Sequence, residues 1–373
     1  MLRYFTAGES HGKALVAILE GMPAGLKVSK ALVNGELRNR QTGYGRGDRM
    51  KIEADTVNIL SGLRGNETIG SPIALMIKNK DSRIDELPKV HSPRPGHADL
   101  AGAMKYGRRD MRDILERSSA RETAARVAVG AVCKQFLSKF GIEIFSHVVL
   151  LGGIEAHTSS LEFGEIVKNA SASLLRCADN AAEKLMRDEI DSASSEGDTL
   201  GGIFEVIIRG LPPGLGSHVQ WDRKIDARLA MAIMSIQAVK GVEIGAGFAV
   251  AKKRGSKVHD SIIYKDGKFN RSTNNAGGVE GGITNGEPVI ARGAMKPIST
   301  LRRPLESVDI VTKKTTKAAV ERADVCAVPA CAVIAENVCA VETANAFMEK
   351  FGSDSVSEIK RNHSNYLRSL AKF

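Results

Sequence analysis

Two histidines in this chain stand in turns built for close approach to a ligand. The first is held in Gly8-Glu9-Ser10-His11-Gly12. Glycine lets backbone come near a bound molecule, and imidazole changes charge near neutrality. His11 is therefore a candidate proton donor; the plain alternative is a structural or simply exposed histidine. The second lies in Arg94-Pro95-Gly96-His97-Ala98-Asp99. There Asp99 could orient the ring and Arg94 could draw in an anion, the alternative being a turn whose aspartate caps a helix.

Cationic and hydroxyl side chains cluster elsewhere in short segments. Residues 38–49 (RNRQTGYGRGDR) bring Arg38, Arg40, Arg46 and Arg49 among three glycines and read as a loop. Either it is solvated, or its guanidinium forks grip carboxylate or phosphate two bonds at a time. Arg117-Ser118-Ser119 offers a guanidinium and two hydroxyls before a helix start, a combination suited to an anion. Ser119 and Glu122 have capping-box spacing. A glycine-rich run, 274–288 (NNAGGVEGGITNGEP), is followed by Lys296-Pro297-Ile298-Ser299-Thr300. Neither a Walker phosphate loop nor a dinucleotide fingerprint is present.

Charge and composition narrow the ligand class. Lys and Arg number 53 against 43 Asp and Glu, a net charge of +10. Such an excess attracts anions in general, nucleic acid included. Aromatics make up only 5% of the 373 residues, and no zinc-finger spacing, RNP motif or long basic tail is found. A small, highly charged ligand fits better than RNA. The five cysteines (133, 177, 326, 331, 339) contain no Cys-x-x-Cys pair and read as reduced packing residues, with no metal role, in a reducing cytoplasm. Neither a secretory signal nor a membrane span is expected, because the longest uncharged apolar run, 325–335, falls well short of the roughly 18 residues a span needs.

The elements that must hold these groups are a mixture. Apolar periodicity predicts helices over 122–140 and 225–239, and β-branched and aromatic residues predict a strand over 203–209. Asp266-Gly267 between 261–264 and 268–271 reads as a hairpin turn. The polar, small segment 188–202 reads as a loop and a domain cut point. Helices and strands follow one another without regular βαβ alternation, which favours an α+β layered fold.

These residues together resemble the chorismate synthase family. The resemblance is carried by GESHG at Gly8, GYGRGDRMKIE at Gly43, RPGHADL at Arg94 and ERSSARETAARVAVGAV at Glu116. DTLGG at Asp198, GVEIGAGF at Gly241, NNAGGVEGGITNGEP at Asn274, KPIST at Lys296 and RADVCAVP at Arg322 continue it in the family's order, thinning beyond Val341. The resemblance implies a β-α-β sandwich, one domain over 1–373, usually a homotetramer. It implies elimination of phosphate from 5-enolpyruvylshikimate 3-phosphate to give chorismate, with reduced FMN required and no net redox change. The rivals are a flavin-dependent oxidoreductase and an RNA-binding protein.

Site roles follow from the same resemblance. His11 is the implied acid toward the leaving phosphate, with Ser10 as relay, His97 the proton donor to the reduced flavin, and Asp324 the acidic residue assisting removal of the C-6 hydrogen. An ordinary salt bridge from Asp324 to Arg322 is the alternative. Implied FMN contacts are Arg117, Ser118, Ser119, Gln237, Ala238, Gly281, Lys296, Pro297, Ile298, Ser299, Thr300 and Arg322. Implied substrate contacts are Arg40, Arg46, Arg49, Arg94 and Arg121. Asn39, where relatives often carry arginine, and the lack of tryptophan in 81–87 depart from the pattern. Some members reduce FMN themselves with NADPH; without a dinucleotide motif or residues for a further domain, this chain is expected to draw on a separate flavin reductase.

Overall fold

The computed structural model describes residues 2–47, 53–265, 267–321 and 324–373, so Arg49, Arg322 and Asp266 of the expected hairpin turn lie outside the described residues. Strands β1 (Arg3–Ala7) and β2 (Ala14–Glu20) form a hairpin around the first histidine turn. They are joined by β3 (Val57–Ile59) and, after the small ribbon of β4 (Leu63–Arg64) and β5 (Glu67–Thr68), by β6 (Ile73–Lys78). The sheet order is β1-β2-β6-β3. Leu15, Ala17 and Leu19 of β2 and Ile73, Leu75 and Ile77 of β6 alternate inward, the period-two signature of a sheet with one buried face.

A second antiparallel sheet is built from β7 (Glu143–Leu151), β8 (Ile154–Glu155), β9 (Gly202–Arg209), β10 (Val239–Ile244) and β15 (Val289–Met295), in the order β10-β15-β9-β7-β8. Between β10 and β15 the chain makes the hairpins β11 (Ile262–Lys265) with β12 (Lys268–Arg271) and β13 (Val279–Glu280) with β14 (Ile283–Thr284). A last ribbon, β16 (Glu306–Val308) with β17 (Thr315–Lys317), follows.

The helices are α1 (Lys30–Gln41), α2 (Asp99–Tyr106), α3 (Arg112–Ser118), α4 (Thr123–Ser138), α5 (Phe163–Ala172), α6 (Asn180–Glu196), α7 (Ile225–Met234), α8 (Val328–Phe351) and α9 (Val356–Leu370). Helix α4 packs on β2 and β6, α8 packs on β7 and β9, and the two helices pack on each other, so a helical layer fills the space between the sheets. The result is the β-α-β sandwich. Rich in alanine and cysteine, α8 is buried on nearly every side, as a helix without a polar face must be. It comes close to α4 at Gly130, where a Cβ would lie 2.4 Å from the Asn337 carbonyl oxygen. No helix among the described residues is long and apolar enough to cross a membrane.

Several expected elements shift. Residues 188–196 are the second half of α6, whose polar face turns to solvent, so the low apolar content marks an exposed helix and not a loop. Arg38 and Arg40 likewise belong to the last turn of α1. Helix α7 stops at Met234, and the chain turns at Ala238, which has positive φ, before Val239 opens β10. The capping box at Ser119 does not form. Ser119 accepts from the Arg121 backbone N–H and caps a single 3-10 turn, Ala120–Glu122, while the Glu122 carboxylate turns to Thr6, Arg126 and Gln237. The strand at β9 and the hairpin of β11 and β12 form as expected. All five cysteines are buried and unpaired.

Candidate active site

One end of the sandwich opens into a cavity of about 560 Å³. Its wall is drawn from the β1–β2 turn, the loop before α2, the junction of α3 and α4, the α7–β10 turn, the segment after β15 and the start of α8. Both histidine turns open onto it.

The β1–β2 turn is held from several sides. Gly8 has φ +104°, and a Cβ there would meet the Ala14 carbonyl oxygen at 2.2 Å, so the turn requires glycine. Asn79 donates to the carbonyls of Glu9 and Gly12 at 3.1 and 2.7 Å. The Ser10 N–H donates to the Glu116 carbonyl at 2.9 Å and the His11 N–H to the Glu116 carboxylate at 2.7 Å. That carboxylate also lies 3.0 Å from His11 Nδ1, while Asp81 stands 3.9 Å from Nε2. Burial alone would push the Glu116 carboxyl up, but the hydrogen bonds from His11 and the charge of Arg112 hold it below its ordinary value.

The second turn is organised around Asp99. As the first residue of α2, Asp99 caps nothing with its side chain. The carboxylate instead points back, accepting from Arg94 Nε at 2.9 Å and Nη2 at 3.0 Å and lying 2.6 Å from His97 Nδ1. Desolvation opposes ionisation of this fully buried group, and the His97 and Arg94 bonds overcome it strongly, leaving its pKa far below the usual carboxylate range. Arg94 also donates to Thr300 Oγ1 at 2.9 Å, tying the loop to the segment after β15.

Arginines form the floor. Arg40 donates to Thr123 Oγ1 and the Ala120 carbonyl, and Arg121 to Asn79 Oδ1 and Asp55 Oδ2, at 2.7 to 2.9 Å. Asp55 lies between the two guanidinium groups. Burial pushes Arg40 down to about 10 against the pull of Asp55. Arg40 Nη1 and Arg121 Nη2 are buried without a hydrogen bond, each facing a carboxylate at ion-pair distance, Asp55 at 3.6 Å and Glu53 at 3.7 Å. Asp324 pairs with Arg46 at 3.3 Å and accepts the Gly47 N–H at 2.7 Å.

Ser118, Ser119, Gln237, Ala238, Lys296, Ile298, Ser299 and Thr300 also line the cavity. The Gln237 amide nitrogen is engaged by Glu122 at 3.3 Å, and its Oε1 is buried with no donor. Lys296 donates to Ser299 Oγ at 3.2 Å, and burial, helped by the charge of Lys240, holds its ammonium below the ordinary value.

The family model for chorismate synthase matches residues 2–348. The chorismate synthase of Geobacter sulfurreducens is 57% identical, with all of both chains covered. That of Carboxydothermus hydrogenoformans is 53% identical over the whole of both chains, and a chorismate synthase 2 of Bacillus cereus is 53% identical over 98% of this chain and all of its own. A solved structure, described as a crystal structure of chorismate synthase, superposes with a TM-score of 0.83 at 45% identity and covers 100% of this chain and 99% of that one.

The chain belongs to the chorismate synthase family. It is thereby a carbon–oxygen lyase of the shikimate pathway, and the comparisons lend no support to the oxidoreductase and RNA-binding readings. Of the residues the family resemblance singles out, Ser10, His11, Arg40, Arg46, Arg94, His97, Ser118, Ser119, Arg121, Gln237, Ala238, Lys296, Ile298, Ser299, Thr300 and Asp324 line one cavity. Arg117, Pro297 and Gly281 do not line it. Arg117 sits in the last turn of α3, not at a helix start, and its guanidinium is spent on the Gly8 and Thr6 carbonyls. Gly281 turns the chain between β13 and β14. Sequence reasoning passed over Glu116, Asp81, Asp55 and Glu321, since a carboxylate among arginines and serines carries no signal of the histidine it will face 105 residues away.

Proposed function

We propose that this cavity binds 5-enolpyruvylshikimate 3-phosphate beside reduced FMN and eliminates phosphate to give chorismate. The observation carrying the reading is the joint presence, around one cavity, of two histidines backed by buried carboxylates and of the guanidinium groups of Arg40, Arg46 and Arg121. The substrate has two carboxylates and a phosphate, and guanidinium forks suit all three.

The residues present fit a flavin phosphate and ring. Gln237 Oε1 offers a buried acceptor without a donor, Lys296 a cation whose bonded partner is a hydroxyl, and Ser118, Ser119, Ser299 and Thr300 supply hydroxyls. Reduced flavin, when bound, supplies an electron-rich ring that favours departure of phosphate and is unchanged overall. Arg40, Arg46 and Arg121 hold the anionic substrate. His11 gives a proton to the leaving phosphate, with Ser10 beside it, and His97 keeps a proton on the cofactor side. Asp324, held by Arg46 and the Gly47 N–H, helps draw off the C-6 hydrogen. Arg94 acts chiefly by holding Asp99, His97 and Thr300 in place.

The working form on this reading is a cytoplasmic homotetramer supplied with reduced flavin by a separate reductase. Its test is anaerobic: purified protein with catalytic FMN and 5-enolpyruvylshikimate 3-phosphate, followed by chorismate absorbance and phosphate release. Dithionite should start turnover, with equal chorismate and phosphate and no stoichiometric flavin oxidation, and NADPH alone should not. One flavin oxidised per product would overturn the elimination. Sustained turnover on NADPH, without contaminating reductase, would overturn the separate source.

A further inference from the structure

The geometry points to Glu116 as the positioning residue of His11. This rests on the proposed role of His11 as proton donor, and it adds a residue that role does not itself require. Glu116 is 2% exposed and reaches both the backbone N–H and the ring Nδ1 of His11, at 2.7 and 3.0 Å. An ionised carboxylate only accepts, so the ring must present Nδ1–H to it. Nε2 is then the nitrogen left to face the cavity. The proton given to the departing phosphate leaves from Nε2, Nδ1–H stays with Glu116, and the neutral ring that remains is the Nδ1–H tautomer.

Glu116 is itself fixed. It lies in α3, whose first turn is set by Asp110 accepting from the Arg112 N–H at 2.9 Å. Arg112 stands 3.5 Å from the Glu116 carboxylate one turn away and donates to Glu321 at 2.9 Å. Asp81, 3.9 Å from Nε2, is paired with Arg83 at 2.8 Å and is too far to hydrogen-bond the ring, so it does not compete for the Nε2 proton. The Glu116 backbone carbonyl also receives the Ser10 N–H. Glu116 thus braces the turn, together with Asn79, and sets the ring plane and the tautomer.

The test combines Glu116→Gln with His11→Ala in full-length protein. A glutamine can still accept the His11 backbone N–H, but its NH2 would face Nδ1 and favour the Nε2–H tautomer. The expected result is a fall in kcat of about ten- to hundredfold, within the ~10²- to 10⁴-fold reach of a general acid, with KM for substrate little changed. In the His11→Ala background Glu116→Gln should cost nothing further. Histidine-selective 15N NMR, with the His11 signal assigned by its loss in His11→Ala, should show Nδ1–H in the neutral ring of the unmutated protein. This measurement stands even if Glu116→Gln fails to fold. An Nε2–H neutral ring in unmutated protein, or unchanged kcat in Glu116→Gln beside an impaired His11→Ala, would overturn the proposal alone. Unchanged turnover in His11→Ala would overturn the acid role of His11 and the proposal with it.

Discussion

The two histidine sites differ in how their carboxylates are acquired. His97 takes Asp99 from two residues along its own turn, at 2.6 Å, whereas His11 takes Glu116 from 105 residues away, at 3.0 Å. Asp99 is shared: the same carboxylate holds Arg94, so the His97 ring has a guanidinium beside it, 3.1 Å from Nδ1. His11 instead has carboxylates toward both nitrogens, Glu116 and Asp81, with Arg112 and Arg83 one contact removed. The field at His11 is negative and the field at His97 is mixed. Two imidazoles in similar glycine turns thereby sit in different electrostatic surroundings.

The largest expected effect is on turnover. His11→Ala and His97→Ala should each lower kcat ~10²- to 10⁴-fold while leaving the circular dichroism spectrum unchanged, because neither ring is part of the apolar core. Assays with excess dithionite-reduced FMN decide it. If only one variant is impaired, the two sites do not share a proton-handling role.

Stability should separate the carboxylates next. Asp99 satisfies a buried guanidinium, a backbone N–H and a ring, so Asp99→Asn should cost about 3–5 kcal/mol, the usual penalty for breaking a buried ion pair. Glu116→Gln retains an acceptor for the His11 N–H and should lose markedly less. Urea midpoints of the two variants rank them, and a Glu116→Gln less stable than Asp99→Asn would reverse the comparison.

The smallest effect is the pH dependence. Both carboxyls titrate below their ordinary values in the fold, Asp99 the more so. Their contribution is therefore complete above the unfolded carboxylate range and is lost as pH falls through it toward the folded values. Unmutated protein should lose stability progressively below about pH 4 to 5. Asp99→Asn should flatten that slope more than Glu116→Gln, as urea midpoints taken at stepped pH would show.

Much of this was legible along the chain, and the limits have a physical pattern. Features set by neighbours are readable: the pairing of β11 with β12, the strand at β9, the packing cysteines, and the proximity of Asp99 to His97. Composition and conformation part where solvent or a distant partner decides. Helix α6 ends in serines and acids because its outer face is wet, and Arg38 and Arg40 sit in α1 although glycines follow them. The capping box at Ser119 failed because Glu122 had stronger partners in Arg126 and Thr6 than its own backbone.

Local residue types and their order determined the family, the reaction class and most of the side chains that line the cavity, because turns, glycines and charge clusters act over a few residues. Only the tertiary structure decided that Glu116 faces His11, that Asp55 lies between Arg40 and Arg121, that Asp324 pairs with Arg46 and that Arg117 is spent on β1. A buried charge takes whichever partner the packing brings within about 3 to 4 Å, and that choice is made between sheets and helices whose residues lie far apart in the chain.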